Sequence, residues 1–187
     1  LLTVASVGPA TASEEYPEHF WDDLIAASQT TLATAAPQAT HAEAYYNLGG
    51  AYTRKDQADA ALAAFKEALR LSPDDPLVHY GLGFTYRMQG QSDAAEKAFK
   101  QALDLKPDFA KAHGSLGVVY IDQGRLDQAI DSLRTAIALK SGDAMFHDNL
   151  GVALARNGLT TAAIASFKDA IDIDPDYANP YLGLGGA

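Results

Sequence analysis

Residues 82–107, LGFTYRMQGQSDAAEKAFKQALDLKP, contain the pattern that decides the fold of this chain. The pattern is Leu-Gly, an aromatic residue, Ala, a large apolar residue, Ala and Pro, and it returns at an offset of 34 residues in three other copies. The anchors are Leu48, Gly49, Tyr52, Ala61, Phe65, Ala68 and Pro73; Leu82, Gly83, Tyr86, Ala95, Phe99, Ala102 and Pro107; Leu116, Gly117, Tyr120, Ala129, Leu133 and Ala136, with Ser141 in place of Pro; and Leu150, Gly151, Leu154, Ala163, Phe167, Ala170 and Pro175. Such a fixed period indicates a repeat architecture.

The period and anchor types resemble those of the tetratricopeptide repeat. The resemblance covers four copies, at residues 42–75, 76–109, 110–143 and 144–177, and residues 178–187 read as the start of a fifth. It implies an all-α fold, a right-handed superhelical solenoid of helix-turn-helix repeats. It also implies that each copy packs only against its neighbours.

Each copy shows two runs of apolar residues at helical spacing, helix A and helix B, joined by a polar turn. In the second copy, helix A spans 76–89 and helix B spans 92–105. Gly90, Gly124 and Gly158 suit a left-handed residue that ends helix A. The first copy has Asp56-Gln57 there, which predicts a slightly different turn.

The residues before the repeats divide into an extended N-terminal arm, 1–16, and a capping helix with its linker, 17–41. Pro17 and Pro37 bracket the helix, and it is expected to cover the first repeat. Leu1–Ser13 are small and uncharged, and they read either as an ordered mature arm or as the remnant of a secretory leader. This segment favours a secreted or periplasmic location over a cytoplasmic one.

Composition excludes several classes of function. The net charge is −10, and residues 1–41 contain no Lys or Arg, which argues against nucleic acid as a partner. The chain has no Cys, so thiol catalysis and thiolate metal sites are excluded. No apolar run reaches the roughly 20 residues of a membrane span. The repeat pattern accounts for nearly every other side chain that could act in catalysis or bind a ligand. We therefore expect that the protein is not an enzyme and that it binds no cofactor and no metal.

The concave wall of such a solenoid is lined by helix A, and this wall is the expected partner-binding groove. Its aromatic, Met and Arg side chains are of the kinds that protein interfaces favour. The groove residues are Tyr46, Arg54, Leu77, Tyr80, Phe84, Arg87, Met88, Lys111, Val118, Ile121, Met145, Asp148, Val152 and Arg156, with Gly50 between them. Packing within the inner helix layer is the alternative role of these residues.

Two binding modes of the family fit poorly. Its clamp for a C-terminal carboxylate needs Lys and Asn side chains in three repeats, and only Lys111 matches. Its Asn ladder is half present, with Asn47 and Asn149 but Gly81 and Ser115 between them.

Two other patterns suggest a metal ligand and are better explained by the fold. His79, His113 and His147 recur at the repeat period, but helices 8–10 Å apart would hold them too far apart for one metal ion. Asp172, Asp174 and Asp176 begin like a calcium loop, but Tyr177 and Gly183 stand where that loop needs Gly and Glu.

The two ends of the chain suggest head-to-tail self-association, in which the arm or capping helix of one copy covers the fifth-repeat segment of the next. An open contact of this kind builds a filament. The residues assigned to it are Leu1, Leu2, Val4, Val7, Phe20, Trp21, Leu24, Tyr181, Leu182 and Leu184. The expected function is therefore a protein-interaction scaffold that self-associates. The alternatives are a groove adapter for another protein's peptide or helix, and a repeat domain of a larger enzyme.

Overall fold

The computed structural model describes residues 17–176, and within that range the chain forms nine α-helices and no strands. The helices are α1 (Glu18–Leu32), α2 (Gln38–Arg54), α3 (Ala58–Leu71), α4 (Pro76–Met88), α5 (Ser92–Leu105), α6 (Ala110–Asp122), α7 (Leu126–Leu139), α8 (Ala144–Arg156) and α9 (Thr160–Ile173). The predicted all-α helix-turn-helix repeat is confirmed, with α2, α4, α6 and α8 as the A helices.

The chain divides into two compact units between Leu105 and Lys106. In the first unit, α2 pairs with α3 and α4 with α5, α3 and α4 pack together, and α1 packs against α2. In the second unit, α6 pairs with α7 and α8 with α9, while α8 also contacts α6 and α7.

The repeat anchors form the core of each unit. Phe65, Phe99, Leu133 and Phe167 on the B helices are at most 2 % exposed. The alanines one turn to either side of these residues are completely buried: Ala61, Ala68, Ala95, Ala102, Ala129, Ala136, Ala163 and Ala170. Small side chains at these positions let the helices approach closely enough for the large residue to fill the space between them.

The glycine of the Leu-Gly pair that recurs in every helix A has a steric cause. A Cβ atom on Gly49 would lie 2.6 Å from the Phe65 ring, and one on Gly83 would lie 2.7 Å from the Phe99 ring. A Cβ on Gly81 would also lie 2.6 Å from the Phe65 ring, so this ring meets a glycine of α2 and a glycine of α4. Any larger residue at these positions must displace an aromatic ring that is itself buried.

All four turns between helices A and B use one left-handed residue. Gly90, Gly124 and Gly158 have φ of 72°, 73° and 78°, and Asp56 has φ of 57°. The backbone hydrogen bonds match too: Gln57 N–H donates to the Tyr52 carbonyl as Gln91 N–H does to that of Tyr86. The expectation of a different turn in the first copy is therefore wrong, because Asp tolerates this conformation better than most residues.

The recurring histidines hydrogen-bond to the loops that precede α4, α6 and α8. The Nε2 atoms of His79, His113 and His147 lie 3.1, 2.9 and 2.9 Å from the carbonyl oxygens of Pro73, Pro107 and Ser141. A carbonyl only accepts, so Nε2 carries the proton. The period of these residues is explained by this hydrogen bond between the end of one repeat and the start of the next.

We predict that Gly83→Ala lowers the free energy of unfolding by about 1–3 kcal/mol, because the new methyl group overpacks the Phe99 ring. Gly50→Ala is the matched control, since a Cβ at this position in α2 would have no packing neighbour within 4 Å in the described part of the chain. It should gain up to about 1 kcal/mol from helix propensity. Urea unfolding followed by circular dichroism measures both, and equal effects of the two variants would contradict the close-approach role of Gly83.

Candidate functional site

The predicted groove residues of the first unit fall into two layers. Tyr46 and Tyr80 are buried, at 5 % and 6 % exposure, and their rings lie 5.9 and 5.6 Å from those of Phe65 and Phe99. These two tyrosines therefore belong to the packing between helices A and B. The more accessible side chains are on α4, where Leu77, Phe84 and Arg87 are half-buried and Met88 is 50 % exposed. We call these four residues the α4 face.

The Tyr46 hydroxyl is a buried polar group that its surroundings leave without a partner. Its oxygen makes no hydrogen bond with any of the residues that the structure describes. Burial, followed by the charge of Asp75 and by Tyr80, raises the pKa of Tyr46 well above its usual range. The phenol is therefore neutral at any physiological pH, and it offers no general base or nucleophile.

The arginines at the ends of the A helices contact residues of the same chain. Arg54 lies over the Trp21 ring at 5.7 Å from the ring centroid, and Arg87 lies over Phe84 at 5.8 Å. In the second unit, Arg156 Nη1 donates to the Ile121 carbonyl at 3.4 Å. These contacts give each arginine a structural role in addition to any role in binding.

The predicted groove residues of the second unit lie on α6 and α8. Val118, Met145, Val152 and Lys111 are half-buried, Ile121 is buried and Arg156 is exposed. The remaining member, Asp148, is a carboxylate with only 5 % exposure.

Asp148 has no hydrogen bond or ion pair with any residue between 17 and 176. Burial alone raises its pKa to about 6 from an ordinary 3.8, and no neighbouring charge contributes to the shift. Its neighbour His147 points elsewhere, with Nδ1 3.8 Å from the Asp169 carboxylate. Asp148 is thus an uncompensated acid on the face of α8 that sequence spacing assigned to partner binding.

Three of the residues assigned to self-association lie on α1 and make contacts within the chain. The rings of Phe20 and Trp21 meet edge to face, with their centroids 5.0 Å apart. The Arg54 guanidinium lies over the Trp21 ring, and Leu24 is buried. An ion pair between Asp22 and Lys55 also joins α1 to α2. The other assigned residues lie outside the described range: Leu1, Leu2, Val4, Val7, Tyr181, Leu182 and Leu184.

One feature that the sequence interpretation missed is a cleft of about 190 Å³ between α1 and α2. Thr31 and Asn47 line it, and Asn47 Oδ1 is buried without a hydrogen-bond partner. The sequence contains a clue to this cleft. Thr31 stands 34 residues before Phe65, at the position equivalent to that large ring, and its small side chain cannot fill the space between α1 and α2 in the same way.

Within residues 17–176, no group of three or more His, Asp or Glu side chains has the geometry of a metal site. Asp174 instead accepts a hydrogen bond from the Asp176 backbone N–H at 3.2 Å. None of the described helices is long and apolar enough to cross a membrane.

The helical pairs and their glycine–aromatic contacts define a class of helix-turn-helix repeat proteins, and comparison of the sequence with family models identifies the family. Models of the tetratricopeptide repeat match residues 40–108, 80–144 and 122–178. The chain belongs to the tetratricopeptide repeat family. No curated protein sequence matches it.

Solved structures of the family resemble the chain over most of its length. A crystal structure of MamA protein is 27 % identical with a TM-score of 0.70, and the match covers 86 % of each chain. YrrB, described as a TPR protein with an unusual peptide-binding site, is 25 % identical with a TM-score of 0.68 over 90 % of this chain and 84 % of its own. MamA from Desulfovibrio magneticus RS-1 is 24 % identical with a TM-score of 0.71, over 82 % and 85 %, and shows the fold alone.

We predict that Asp148→Asn stabilises the free protein at pH 7 by about 1–2 kcal/mol, because it removes an uncompensated charge from a site only partly open to solvent. The folded pKa is the higher one, so the wild type binds more protons when folded and loses stability as the pH rises from about 4 through about 6. Thermal unfolding between pH 4 and 8 should show this loss in the wild type and a smaller one in the variant. Parallel curves would contradict the prediction.

Proposed function

We propose that this chain is a non-catalytic protein-interaction scaffold that binds a segment of another protein on its A helices. The observation that carries this proposal is the α4 face. Met88 is the most exposed large apolar side chain in the described part of the chain, and it follows Leu77 and Phe84 along one side of α4. An exposed Met beside a partly open aromatic ring is a surface that adapts to an apolar partner.

The chemistry of the neighbouring residues supports the same proposal. Arg87, stacked on Phe84, adds a cation at the edge of the apolar surface. Aromatic, Met and Arg side chains are enriched in protein interfaces relative to the rest of protein surfaces. The similarity to YrrB, a protein whose description includes a peptide-binding site, favours a peptide or a helix as the form of the partner.

The proposal predicts that a photo-crosslinking amino acid at position 88 captures a partner protein in the source cells. Position 97 on α5 is the control, since Lys97 is also exposed but lies on a B helix. Mass spectrometry should identify the same adduct repeatedly at position 88 and not at 97. Adding Phe84→Ala should reduce the yield of the adduct at position 88 several-fold. Tyr80→Ala is not a suitable variant, because the Tyr80 ring packs against Phe99 in the core. Equal capture at both positions, or none at 88, would refute binding at the α4 face.

Head-to-tail self-association is a second proposal, and the packing of α1 narrows its form. Trp21 contacts Arg54 of α2, and Leu24 is buried. Because these side chains are already used within the chain, α1 is better suited to packing on its own first repeat than to packing on a second copy. Contacts between copies would then depend on the arm, residues 1–16.

Light scattering across a range of protein concentrations tests this second proposal. We expect assemblies larger than the monomer for the full chain and their loss when residues 1–16 are deleted. If both proteins are monodisperse monomers at every concentration, self-association through the arm is wrong.

A further inference from the structure

Asp148 is a carboxylate in the wrong surroundings for a structural acid. Acidic side chains that are mostly buried are usually paired with a cation or held by several hydrogen bonds, because an unpaired charge loses its hydration without compensation. Asp148 is 5 % exposed and has neither kind of partner in the part of the chain that the structure describes. Because its ionised form does not stabilise the fold, Asp148 is a candidate for binding a group from outside the chain.

We propose that Asp148 is a specificity-determining residue that binds the basic side chain, Lys or Arg, of a partner polypeptide on the A helices of the second unit. The inference rests on the proposed function, because it names the chemistry of the partner that the A helices take. A cation arriving from outside would supply the counter-charge that the fold does not.

The repeat register shows why the equivalent positions of the other three copies, all within the described range, do not pair with Asp148. The position of Asp148 in its copy is filled by Tyr46 and Tyr80 in the first two copies and by Gly114 in the third. Gly114 has no side chain to offer, and the space beside its Cα is taken by the buried ring of Phe146, which would lie 2.4 Å from a Cβ at that position. Lys111, the cation that sequence spacing placed on the same wall, forms no ion pair with Asp148.

The residues that flank Asp148 suit the rest of a basic side chain. Met145 lies three residues before it on α8 and Val152 four residues after it, so the three share one side of the helix. Both neighbours are half-buried and apolar. The methylene stem of a Lys or Arg can pack on such a surface while its charged head reaches a recessed carboxylate.

This assignment separates the two modes of association proposed above. Residues 1–41 contain no Lys or Arg, so the N-terminal arm and α1 of a second copy cannot supply the basic side chain. Self-association through residues 1–41 and recognition of a cation at Asp148 are therefore separate modes of binding.

Binding of short peptides, followed by NMR of the intact chain at pH 7.5, tests the inference. The probes are acetylated and amidated pentapeptides of alanine with Lys, Arg, Gln or Glu in the middle. We expect the Lys and Arg peptides to shift the amide signals of α8 saturably, and to bind at least about fivefold more tightly than the Gln peptide. Asp148→Asn should abolish that preference.

Asp131→Asn is the matched control, because it removes the same charge from an exposed acid on α7. It should leave the preference intact, and Asp148→Ser serves as a second variant if asparagine alters α8. The inference is overturned if no peptide binds saturably, if the Gln or Glu peptide binds as well as the basic ones, or if the preference survives in both Asp148 variants. Capture of a partner at position 88 is independent of Asp148, so it distinguishes failure of this inference from failure of the proposed function.

Discussion

The contact between a large side chain of helix B and a glycine of helix A is the interaction on which the rest of this structure depends. Phe65 shows it in full, because its ring meets Gly49 of its own repeat and Gly81 of the next. One ring therefore sets both the spacing within a helical pair and the spacing between successive pairs. The alanines around it are completely buried because the helices can close only as far as the ring allows.

Filling this layer leaves other side chains free for recognition. Where the ring is backed by a tyrosine, as at Tyr46 and Tyr80, the position that faces the groove is drawn into the core. At Asp148 the same position holds a charge that the core cannot use. The two residue types have opposite effects on stability. A tyrosine ring packs against helix B and leaves less of the groove for a partner. The aspartate lowers stability at neutral pH, and its carboxylate has no role in the packing.

The sequence predicts most of the fold, because its period records local steric requirements. Glycine facing Phe, alanine beside it and a left-handed residue in each turn are all decided by near neighbours. The candidate site was harder to predict, since spacing assigns a residue to a face of a helix but does not say how deeply it lies. Whether Tyr80 is accessible depends on Phe99, and whether Asp148 is paired depends on what α6 offers. Asp56 was misjudged for a related reason: its residue type suggested a different turn, but the flanking helices impose the same one.

At His113 and His147, the hydrogen bond to the preceding loop uses a proton that both the neutral and the charged imidazole carry. In neutral imidazole the Nε2 proton is already donated to the carbonyl six residues earlier, and the imidazolium ion keeps that same proton. For His147, the additional proton on Nδ1 would lie toward the Asp169 carboxylate. A proton added to either ring therefore does not remove the donor of these two hydrogen bonds, whereas the charge on Asp148 does change with pH.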